Sequence, residues 1–455
     1  MKLCLCVNTQ TPLVRFKVSY EELLERYGGL EEPIKLEKLV EGHDYFYSPG
    51  GVTAMLYPML KELIEKEVVS SVRWVSLNHN APPEVTDKEV YFYHVQLPST
   101  LIPRYTSFKE GIWREFHGLG HSEFRIDDYA AYATYNWLTA QTILKFILDV
   151  DLLWVHDFQQ LQVGSMVGPS VPSIFRWHIP FRPELLSEKM RKFVLRNMEC
   201  YDAVVVSTRR ALEGLIEAGF RGRAYQIYPY IDPRKWDIPP RAEMQQVLDR
   251  YGIRDEDYVA LIVARMDSIK GQDTAIRAVA LARRKHPKLK LFLVGNGSFT
   301  STGLGHGKGN YWARTLQNLA RELKVAEYVH LLGYVPDEDL RSLYARANVV
   351  LLPSLMEGFG LTVVEAWNYK KPVIVSRGAG VSELIVEGVN GLIHEPGDHK
   401  DLYEKLCYLL ENPEEAEKMG ATGCELAQQC FVTSAVERIK ELFEAVMEGP
   451  SREVV

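Results

Sequence analysis

Short apolar runs alternate with amphipathic stretches of ten or more residues along most of the chain, and this alternation constrains the fold most. The runs in the first half read KLCLCV, SVRWVSL, VYFYHV, LLWVH, SIFRWH, AVVVS and AYQIYP, and those in the second half read YVALIVA, KLFLVG, YVHLLG, NVVLLP and PVIVS. Continuous apolar strands separated by helices are typical of parallel sheets covered on both faces. The pattern therefore predicts an α/β chain with two Rossmann-like, doubly wound parallel-sheet domains.

The stretch YPYIDPRKWDIPPRA at residues 228–242 is the best candidate for a boundary, because it holds four prolines and no regular period. A chain of 455 residues exceeds one ordinary core. We therefore predict domains over residues 1–235 and 236–430, and a C-terminal helix within residues 431–455 that packs back toward the first domain. Because parallel sheets bind ligands at their carboxyl edges, the two domains are expected to face each other across a cleft.

Composition excludes several classes of function. The 53 basic and 60 acidic residues are spread along the chain and give a net charge of −7, which argues against a nucleic-acid partner. No apolar run approaches the roughly 20 residues of a membrane span, and the N-terminal MKLCLCVNTQ is too short for a secretion signal. We expect a cytoplasmic protein without a membrane span, a metal site or a bound cofactor.

Two basic residues follow the first apolar run of the second half. VARMDSIKGQ puts Arg265 at the predicted strand end and Lys270 five residues later, just before Gly271 opens a helix. Arginine offers a fixed fork of donors and lysine a mobile point charge, so the pair suits a diphosphate. Both could instead be solvated surface charges, but their joint position at a strand end favours an anion site.

The stretch PSLMEGFGLTVVEAW carries two glutamates on either side of a glycine turn. A helix is predicted over LTVVEAWNY, so the amides of residues 358–361 lie at its start, where the helix dipole favours an anion. The alternative is a T-x-x-E capping box with Thr362 as the N-cap, which would make Glu365 merely structural. Capping leaves Glu357 unexplained, and a carboxylate at a strand end can accept hydrogen bonds from sugar hydroxyls.

Polar groups also follow two strands and one turn of the first half. LLWVHDFQQ ends in His156 and Asp157, and PSIFRWHIPF places His178 before a proline that redirects the chain. A lone histidine at a strand end is more often a core residue, but this setting favours a functional loop. In SPGGVTAML, Gly50 and Gly51 precede a helix, as either a plain turn or a turn that admits a ligand.

Together these motifs resemble those of the retaining glycosyltransferases of the GT-B fold, the large family four. R-x-x-x-x-K-G is followed about ninety residues later by E-G-F-G-L-x-x-x-E and then by GAGVSELIVEGVNGLIHEPGD. In the first half, WVHDFQQL, FRWHIPFRPE and SPGGVTAML are similar to segments of trehalose-6-phosphate synthases and glycosyltransferring trehalose synthases. The resemblance implies a GT-B fold.

The resemblance also implies roles for the matching residues. Arg265 and Lys270 would stabilise the donor diphosphate as leaving group, Glu357 would hold the donor sugar and Glu365 the ribose, and His178 would lie near the reacting carbon. The implied catalytic residues are His178, Arg265, Lys270 and Glu357. The implied donor-binding residues are Gly50, Gly51, Arg265, Lys270, Glu357, Gly358, Phe359, Gly360, Leu361 and Glu365.

On the acceptor side, the resemblance implies that Asp157 orients the acceptor and that Trp113, in GIWREFHG, lies nearby. The arginine motif that binds the acceptor phosphate in the phosphate synthases is replaced by NGSFTSTGLGHGKGNYWAR, which aligns poorly. Arg104 is the basic residue that we assign to the acceptor side. The others considered for a phosphate are Arg15, Lys17, Lys308 and Arg314.

The implied reaction is metal-independent, retaining transfer of a hexose, expected to be glucose, from a nucleoside-diphosphate sugar such as UDP-glucose. The acceptor is a small sugar or sugar phosphate, and the expected product is trehalose or a related disaccharide. The alternatives are a trehalose-6-phosphate synthase-type or other glycoside synthase, with a glycerate or phosphate acceptor, and a non-catalytic nucleotide-sugar-binding protein. A homodimer is also left open.

Overall fold

A computed structural model describes residues 2–48, 51–123, 125–295 and 304–449, except the side chains of residues 169 and 304–308. The chain divides into two compact units, one formed by Met1–Tyr228 with Val432–Val455 and the other by Pro229–Phe431. The division after residue 228 and the predicted boundary after residue 235 both fall within the proline-rich stretch 228–242.

The first unit is built around a nine-stranded sheet. Its strands, with a small separate ribbon of β2 and β4, are β1 Leu3–Thr9, β2 Val14–Phe16, β3 Ile34–Lys35, β4 Tyr45–Tyr47, β5 Val69–Leu77, β6 Glu84–Asp87, β7 Val90–Val95, β8 Leu152–His156, β9 Ser173–Arg176, β10 Ala203–Val206 and β11 Ala224–Gln226. The helices are α1 Tyr20–Tyr27, α2 Gly51–Glu65, α3 Ile102–Phe116, α4 Ile126–Leu144, α5 Val163–Val167, α6 Glu188–Met198 and α7 Arg209–Glu217.

The strand order of this sheet is β11-β10-β9-β8-β1-β5-β7-β6-β3. All neighbours are parallel except β6 and β7, which form an antiparallel hairpin. The chain winds outward from β1 through β5 and β7, then returns to the other side of β1 with β8. The order therefore reverses between β1 and β8, which is the place where doubly wound sheets bind ligands.

The second unit contains a six-stranded, fully parallel sheet in the order β14-β13-β12-β15-β16-β17. The strands are β12 Tyr258–Val263, β13 Leu289–Val294, β14 Val329–Gly333, β15 Val349–Leu352, β16 Val373–Ser376 and β17 Leu392–His394. The helices are α8 Arg241–Arg250, α9 Gln272–Ala282, α10 Leu304–Glu322, α11 Asp337–Arg346, α12 Leu361–Asn368, α13 His399–Glu411 and α14 Pro413–Ala427. Here the order reverses between β12 and β15.

The last helix, α15 (Val432–Met447), belongs to the first unit. Its Phe443 is buried with its ring centroid 5.3 Å from that of Trp154 in β8. The Arg223 guanidinium donates a hydrogen bond of 2.9 Å to the Ala445 carbonyl. The helix predicted within residues 431–455 is therefore part of the core of the first unit. In the described ranges, no helix combines the length and the apolar character that crossing a membrane requires.

Candidate active site

The reversal point of the second sheet brings two of the predicted strand ends together. β12 and β15 are hydrogen-bonded neighbours in parallel register, with Ala260 opposite Val349. Arg265 follows β12, and Glu357 follows β15, so both side chains originate at the carboxyl edge of the sheet. This is the edge at which parallel α/β sheets bind ligands.

A glycine turn brings Lys270 to the same edge. Gly271 has φ of 66°, and a Cβ on it would overlap the carbonyl oxygen of Pro353, directly after β15. The neighbouring backbone is bound to the same segment, because the Leu355 amide donates to the Ile269 carbonyl at 2.8 Å. Only glycine fits this close approach, which carries Lys270 toward the end of β15.

Lys270 and Glu357 form an ion pair. Lys270 Nζ donates to Glu357 Oε2, and the lysine is 9% exposed. The Ser354 hydroxyl lies 3.4 Å from the same carboxylate oxygen. The ammonium and the carboxylate are therefore held at a strand end, the first suited to a ligand anion and the second to a ligand hydroxyl.

Arg265 is held through its backbone and leaves its guanidinium available. Gln272 Nε2 donates to the Arg265 carbonyl at 2.7 Å, and Trp312 Nε1 in turn donates to Gln272 Oε1 at 3.0 Å. The guanidinium is partly exposed and has no hydrogen bond or ion pair with any residue that the structure describes. A fork of donors without a protein partner suits a phosphate oxygen.

The EGFG loop is fixed by a second loop, residues 378–381. The Glu357 amide donates to the Gly378 carbonyl at 3.1 Å, and the Gly380 amide donates back to the Glu357 carbonyl at 3.0 Å. A third bond joins the Val381 amide to the Phe359 carbonyl at 2.9 Å. Phe359 is buried, so the loop is held on both sides of Gly358.

Helix α12 begins directly after this loop. Gly360 is its N-cap, with φ of 118°, and a Cβ there would lie 2.5 Å from Leu352 Cδ2. No side chain caps the helix, and the Val363 amide donates to the Gly360 carbonyl at 3.1 Å. The first-turn amides left for an anion are therefore those of Leu361 and Thr362. The capping box is therefore the wrong alternative, because Thr362 is the second residue of the helix. Its hydroxyl is buried without a hydrogen-bond partner among the described residues.

The carboxyl group of Glu365 is bound to Tyr344 in α11. The Tyr344 hydroxyl donates to Glu365 Oε2 at 2.6 Å. Burial raises the pKa of Glu365 to about 7, while the hydrogen bond from Tyr344 acts in the opposite direction. Tyr344 is itself fixed between two rings, stacked on Tyr369 at 5.7 Å and edge-on to Trp236 at 5.6 Å. One carboxylate oxygen is thus bound to the protein in a rigid aromatic setting.

In the first unit, Asp157 stands at the reversal point between β1 and β8. It directly follows β8 and has φ of 73°, a left-handed conformation that is uncommon for a residue other than glycine. Its amide donates to the Arg176 carbonyl at 2.8 Å, and its Oδ1 lies 3.4 Å from the His178 amide. Burial raises the pKa of Asp157 to about 7.

His178 is oriented by a second histidine. Its Nε2 lies 3.1 Å from His156 Nδ1, and the two rings stack at 5.3 Å. Burial holds the pKa of both imidazoles well below the usual value, so both rings are neutral near pH 7. Arg176, at the end of β9, is fully buried and donates to the Ile227 carbonyl at 3.0 Å.

The remaining predicted site residues belong to other parts of the first unit. Gly51 is the first residue of α2, whereas Gly50 lies outside the described residues. Arg104 in α3 is paired with Asp127 at 2.8 Å. Trp113, also in α3, stacks on the His117 ring at 4.1 Å. In the described ranges, neither Arg104 nor Trp113 has a hydrogen bond to Asp157 or His178.

Sequence reasoning missed several residues that fix the site. Tyr344 lies 21 residues before Glu365, and nothing in its local pattern marks it. Gln272 could have been suspected, because it is the first residue of a helix that opens beside Lys270. The residues 378–381 lie in the GAGVSEL segment, which was noted but given no role. Within the described ranges, no group of three or more His, Cys, Asp or Glu residues could hold a metal ion.

Part of the chain matches a known protein family. Residues 244–426 match the family model described as Glycosyl transferases group 1. These residues contain Arg265, Lys270, Glu357 and Glu365. The trehalose synthase of Pyrococcus horikoshii is 27% identical over 302 residues, which are 65% of this chain and 69% of that protein.

Two solved structures match nearly the whole chain. Trehalose-6-phosphate synthase OtsA has a TM-score of 0.75 at 17% identity and covers 97% of this chain and 99% of its own. Anabaena Alr3699/HepE in complex with UDP and glucose has a TM-score of 0.68 at 17% identity, with 97% and 100% covered. At these identities the likeness establishes the fold, and the predicted α/β architecture with two Rossmann-like units is confirmed.

Proposed function

We propose that the chain, whose residues 244–426 match the model of the Glycosyl transferases group 1 family, transfers glucose from a nucleoside-diphosphate sugar to a sugar or sugar phosphate. The observation that carries the proposal is the set of groups at the carboxyl edge of β12 and β15. A guanidinium without a partner among the described residues, a lysine–glutamate pair and an uncapped helix start lie on adjacent strand ends.

Each of these groups suits one part of a nucleotide-sugar donor. Arg265 and Lys270 bind the diphosphate, together with the amides at the start of α12. When the donor phosphate also binds Lys270, Glu357 accepts hydrogen bonds from the sugar hydroxyls. Glu365 keeps one carboxylate oxygen on Tyr344 and offers the other to the ribose hydroxyls.

The proposed transfer proceeds with retention at the anomeric carbon. The bond from this carbon to the diphosphate oxygen breaks, and the nucleoside diphosphate leaves with the electron pair. The acceptor hydroxyl attacks the short-lived oxocarbenium-like centre from the same face, and its proton passes to the leaving phosphate oxygen. Arg265 and Lys270 stabilise the charge that develops on that phosphate, so no divalent metal ion is required.

The first unit supplies the remaining roles in this proposal. His178, held neutral by burial, donates or accepts a hydrogen bond near the reacting carbon without adding charge there. Asp157 orients the acceptor hydroxyl. Arg104 and Trp113 remain predicted acceptor-side residues, and Arg104 would have to exchange its partner Asp127 for an acceptor phosphate.

The proposed product is trehalose or a related disaccharide. The support comes from the Pyrococcus horikoshii relative, which is a trehalose synthase, and from the likeness to trehalose-6-phosphate synthase. UDP is proposed as the donor nucleotide because the Anabaena structure is a complex with UDP and glucose. The runner-up is a synthase that takes glucose 6-phosphate or glycerate as acceptor.

Release of free nucleoside diphosphate from UDP-glucose, in the presence of glucose or glucose 6-phosphate, tests the proposal. The native chain should release UDP only when an acceptor is added. Arg265→Ala should lower kcat roughly 10²- to 10³-fold, whereas Arg438→Ala in α15 should leave it unchanged. Tight donor binding without any release would identify a nucleotide-sugar sensor instead, and near-native turnover of Arg265→Ala would remove the leaving-group role.

A further inference from the structure

A basic pocket lies on the second unit, away from the candidate donor site. Its volume is about 360 Å³, and its walls include Arg277 of α9, Arg284 in the turn after α9, Lys324 after α10 and His399 at the start of α13. The floor between these side chains is apolar and includes Leu281. The pocket thus combines cationic walls with a small hydrophobic base.

The geometry of α9 separates this pocket from the donor residues. The helix begins at Gln272, which holds the Arg265 backbone, and ends at Ala282. Eleven residues of α-helix span roughly 16 Å. Arg277 lies in the middle of α9, and Arg284 lies in the turn two residues after its end. The pocket is therefore a second site and not an extension of the first.

Three cations of this pocket are exposed and unpaired in the part of the chain that the structure describes. Arg277, Arg284 and Lys324 are exposed, and none has an ion pair or side-chain hydrogen bond with a residue that the structure describes. The chain as a whole carries a net charge of −7. A concentration of unpaired positive charge on an acidic protein raises the local concentration of anions, even though salt screens each charge.

One further guanidinium in the wall is already fixed. Arg283 donates to the Leu289 carbonyl, and its guanidinium carbon lies 3.1 Å from the centroid of the Tyr328 ring. This stacking holds Arg283 against the protein, so it supplies a constant positive wall. Arg277 and Arg284 supply two further, exposed guanidinium forks.

We propose that the basic pocket binds a soluble phosphate ester that carries at least two negative charges. Guanidinium forks bind phosphate oxygens in a bidentate manner, and Lys324 adds a point charge. The apolar floor suits the carbon body of the ester, and the volume falls in the range of small-molecule sites. The site is independent of the proposed transfer reaction, because none of its residues belongs to the candidate active site.

Calorimetric titration with inorganic pyrophosphate and with fructose 1,6-bisphosphate, at 0.15 M salt, tests this proposal. The protein carries Arg265→Ala and Lys270→Ala, so that the candidate donor site does not contribute. The pocket variant adds Arg277→Gln and Arg284→Gln. The matched control adds Arg196→Gln and Arg438→Gln, two exposed helix arginines of the first unit. Circular dichroism verifies that all proteins are folded.

We expect both probes to bind the parent protein and the control with the same Kd within about twofold. The pocket variant should bind them at least tenfold more weakly. Equal Kd values in the pocket variant and the control would overturn the proposal, as would a lack of binding to the parent. Binding to vesicles of phosphatidylcholine with one-fifth phosphatidylglycerol, without binding to either soluble probe, would also overturn it and assign the surface to membranes.

Discussion

Tyr344 fixes the position of the Glu365 carboxyl group, because its hydroxyl donates a hydrogen bond to one of the two carboxylate oxygens. Removing that hydroxyl leaves the carboxyl group free to rotate and takes away one hydrogen bond to it. A hydrogen bond to a charged group contributes about 1.5 kcal/mol or more. Tyr344→Phe should therefore raise the donor KM about tenfold and leave kcat nearly unchanged, as measured by UDP release.

Tyr369→Phe is the matched control for this change. Its ring stacks on Tyr344, but its hydroxyl lies 3.4 Å from the Asp237 carbonyl and does not reach Glu365. Its donor KM should stay within about twofold of the native value. Similar KM values for both variants would show that the Tyr344 hydroxyl does not position Glu365 for the donor.

The raised pKa of Glu365 predicts that the free energy of unfolding depends on pH. The ordinary value is 4.5 and the folded value about 7, so between these pH values the folded chain holds a proton that the unfolded chain has lost. The contribution of Glu365 to the free energy of unfolding is therefore full below pH 4.5 and is lost as the pH rises through about 7.

Glu365→Gln cannot titrate and should not show this loss. The free energy of unfolding of the variant, relative to that of the native chain, should rise by on the order of 2–3 kcal/mol between pH 4.5 and pH 8. Urea unfolding at several pH values, followed by a signal that reports on the second unit, measures this difference in the free energy of unfolding. A difference that is constant with pH would mean that the carboxyl group is ionised in the folded state.

At the residue level, the sequence placed Arg265, Lys270 and Glu357 at strand ends, and their ligand roles stay predictions. Lys270 and Glu357 form a pair, and Arg265 and Glu357 follow neighbouring strands that end at one edge of the sheet. The capping alternative failed because Gly360 starts the helix two residues before Thr362. The partner of Glu365 could not be predicted, because Tyr344 reaches it only through the packing of α11 against the rest of the unit.

At the level of elements, all twelve predicted strands are present. The antiparallel strand β6 was missed because EVTD is short and polar, and because Lys88, with φ of 52°, occupies a turn position that glycine or asparagine usually marks. The edge strand β17 was missed because three residues are too few to show a recognisable strand pattern. Long apolar strands buried on both faces were thus predictable, whereas short edge strands depend on the sheet already being formed.

The turn before α9 offers an element-level prediction. Gly271 and Gly252 have nearly the same φ, 66° and 67°, but only Gly271 meets a neighbouring backbone carbonyl. Gly252→Ala should cost about 1–2 kcal/mol through backbone strain alone. Gly271→Ala should cost about 1–3 kcal/mol more, and its turnover should fall roughly 100-fold because Lys270 is displaced.

Thermal unfolding and UDP release measure these two effects. Normal turnover of Gly271→Ala would show that the close approach to Pro353 does not position Lys270. Equal losses of stability in the two variants would show that the neighbouring carbonyl relaxes without cost.

At the scale of the whole molecule, the two-domain organisation was predictable from the repeated strand–helix pattern and the proline-rich boundary. The assignment of α15 to the first unit rests on tertiary contacts such as Phe443 with Trp154. Its amphipathic pattern indicates a helix that must cover a core, but not which core. The acceptor is harder to predict, because the candidate phosphate-binding residues are scattered over β2 and the residue after it, α3, and a segment that aligns poorly with the phosphate synthases.

The central claim is that the whole chain makes a glycosidic bond with retention. Proton NMR of the product formed from UDP-, ADP- or GDP-glucose with glucose, glucose 6-phosphate or glycerate tests it directly. We expect one donor–acceptor pair to give an α-linked product, with trehalose or its phosphate foremost, alongside one equivalent of free nucleoside diphosphate. A β-linked product from the α-linked donor would contradict retention, and the absence of any product from every pair would contradict the proposed transfer.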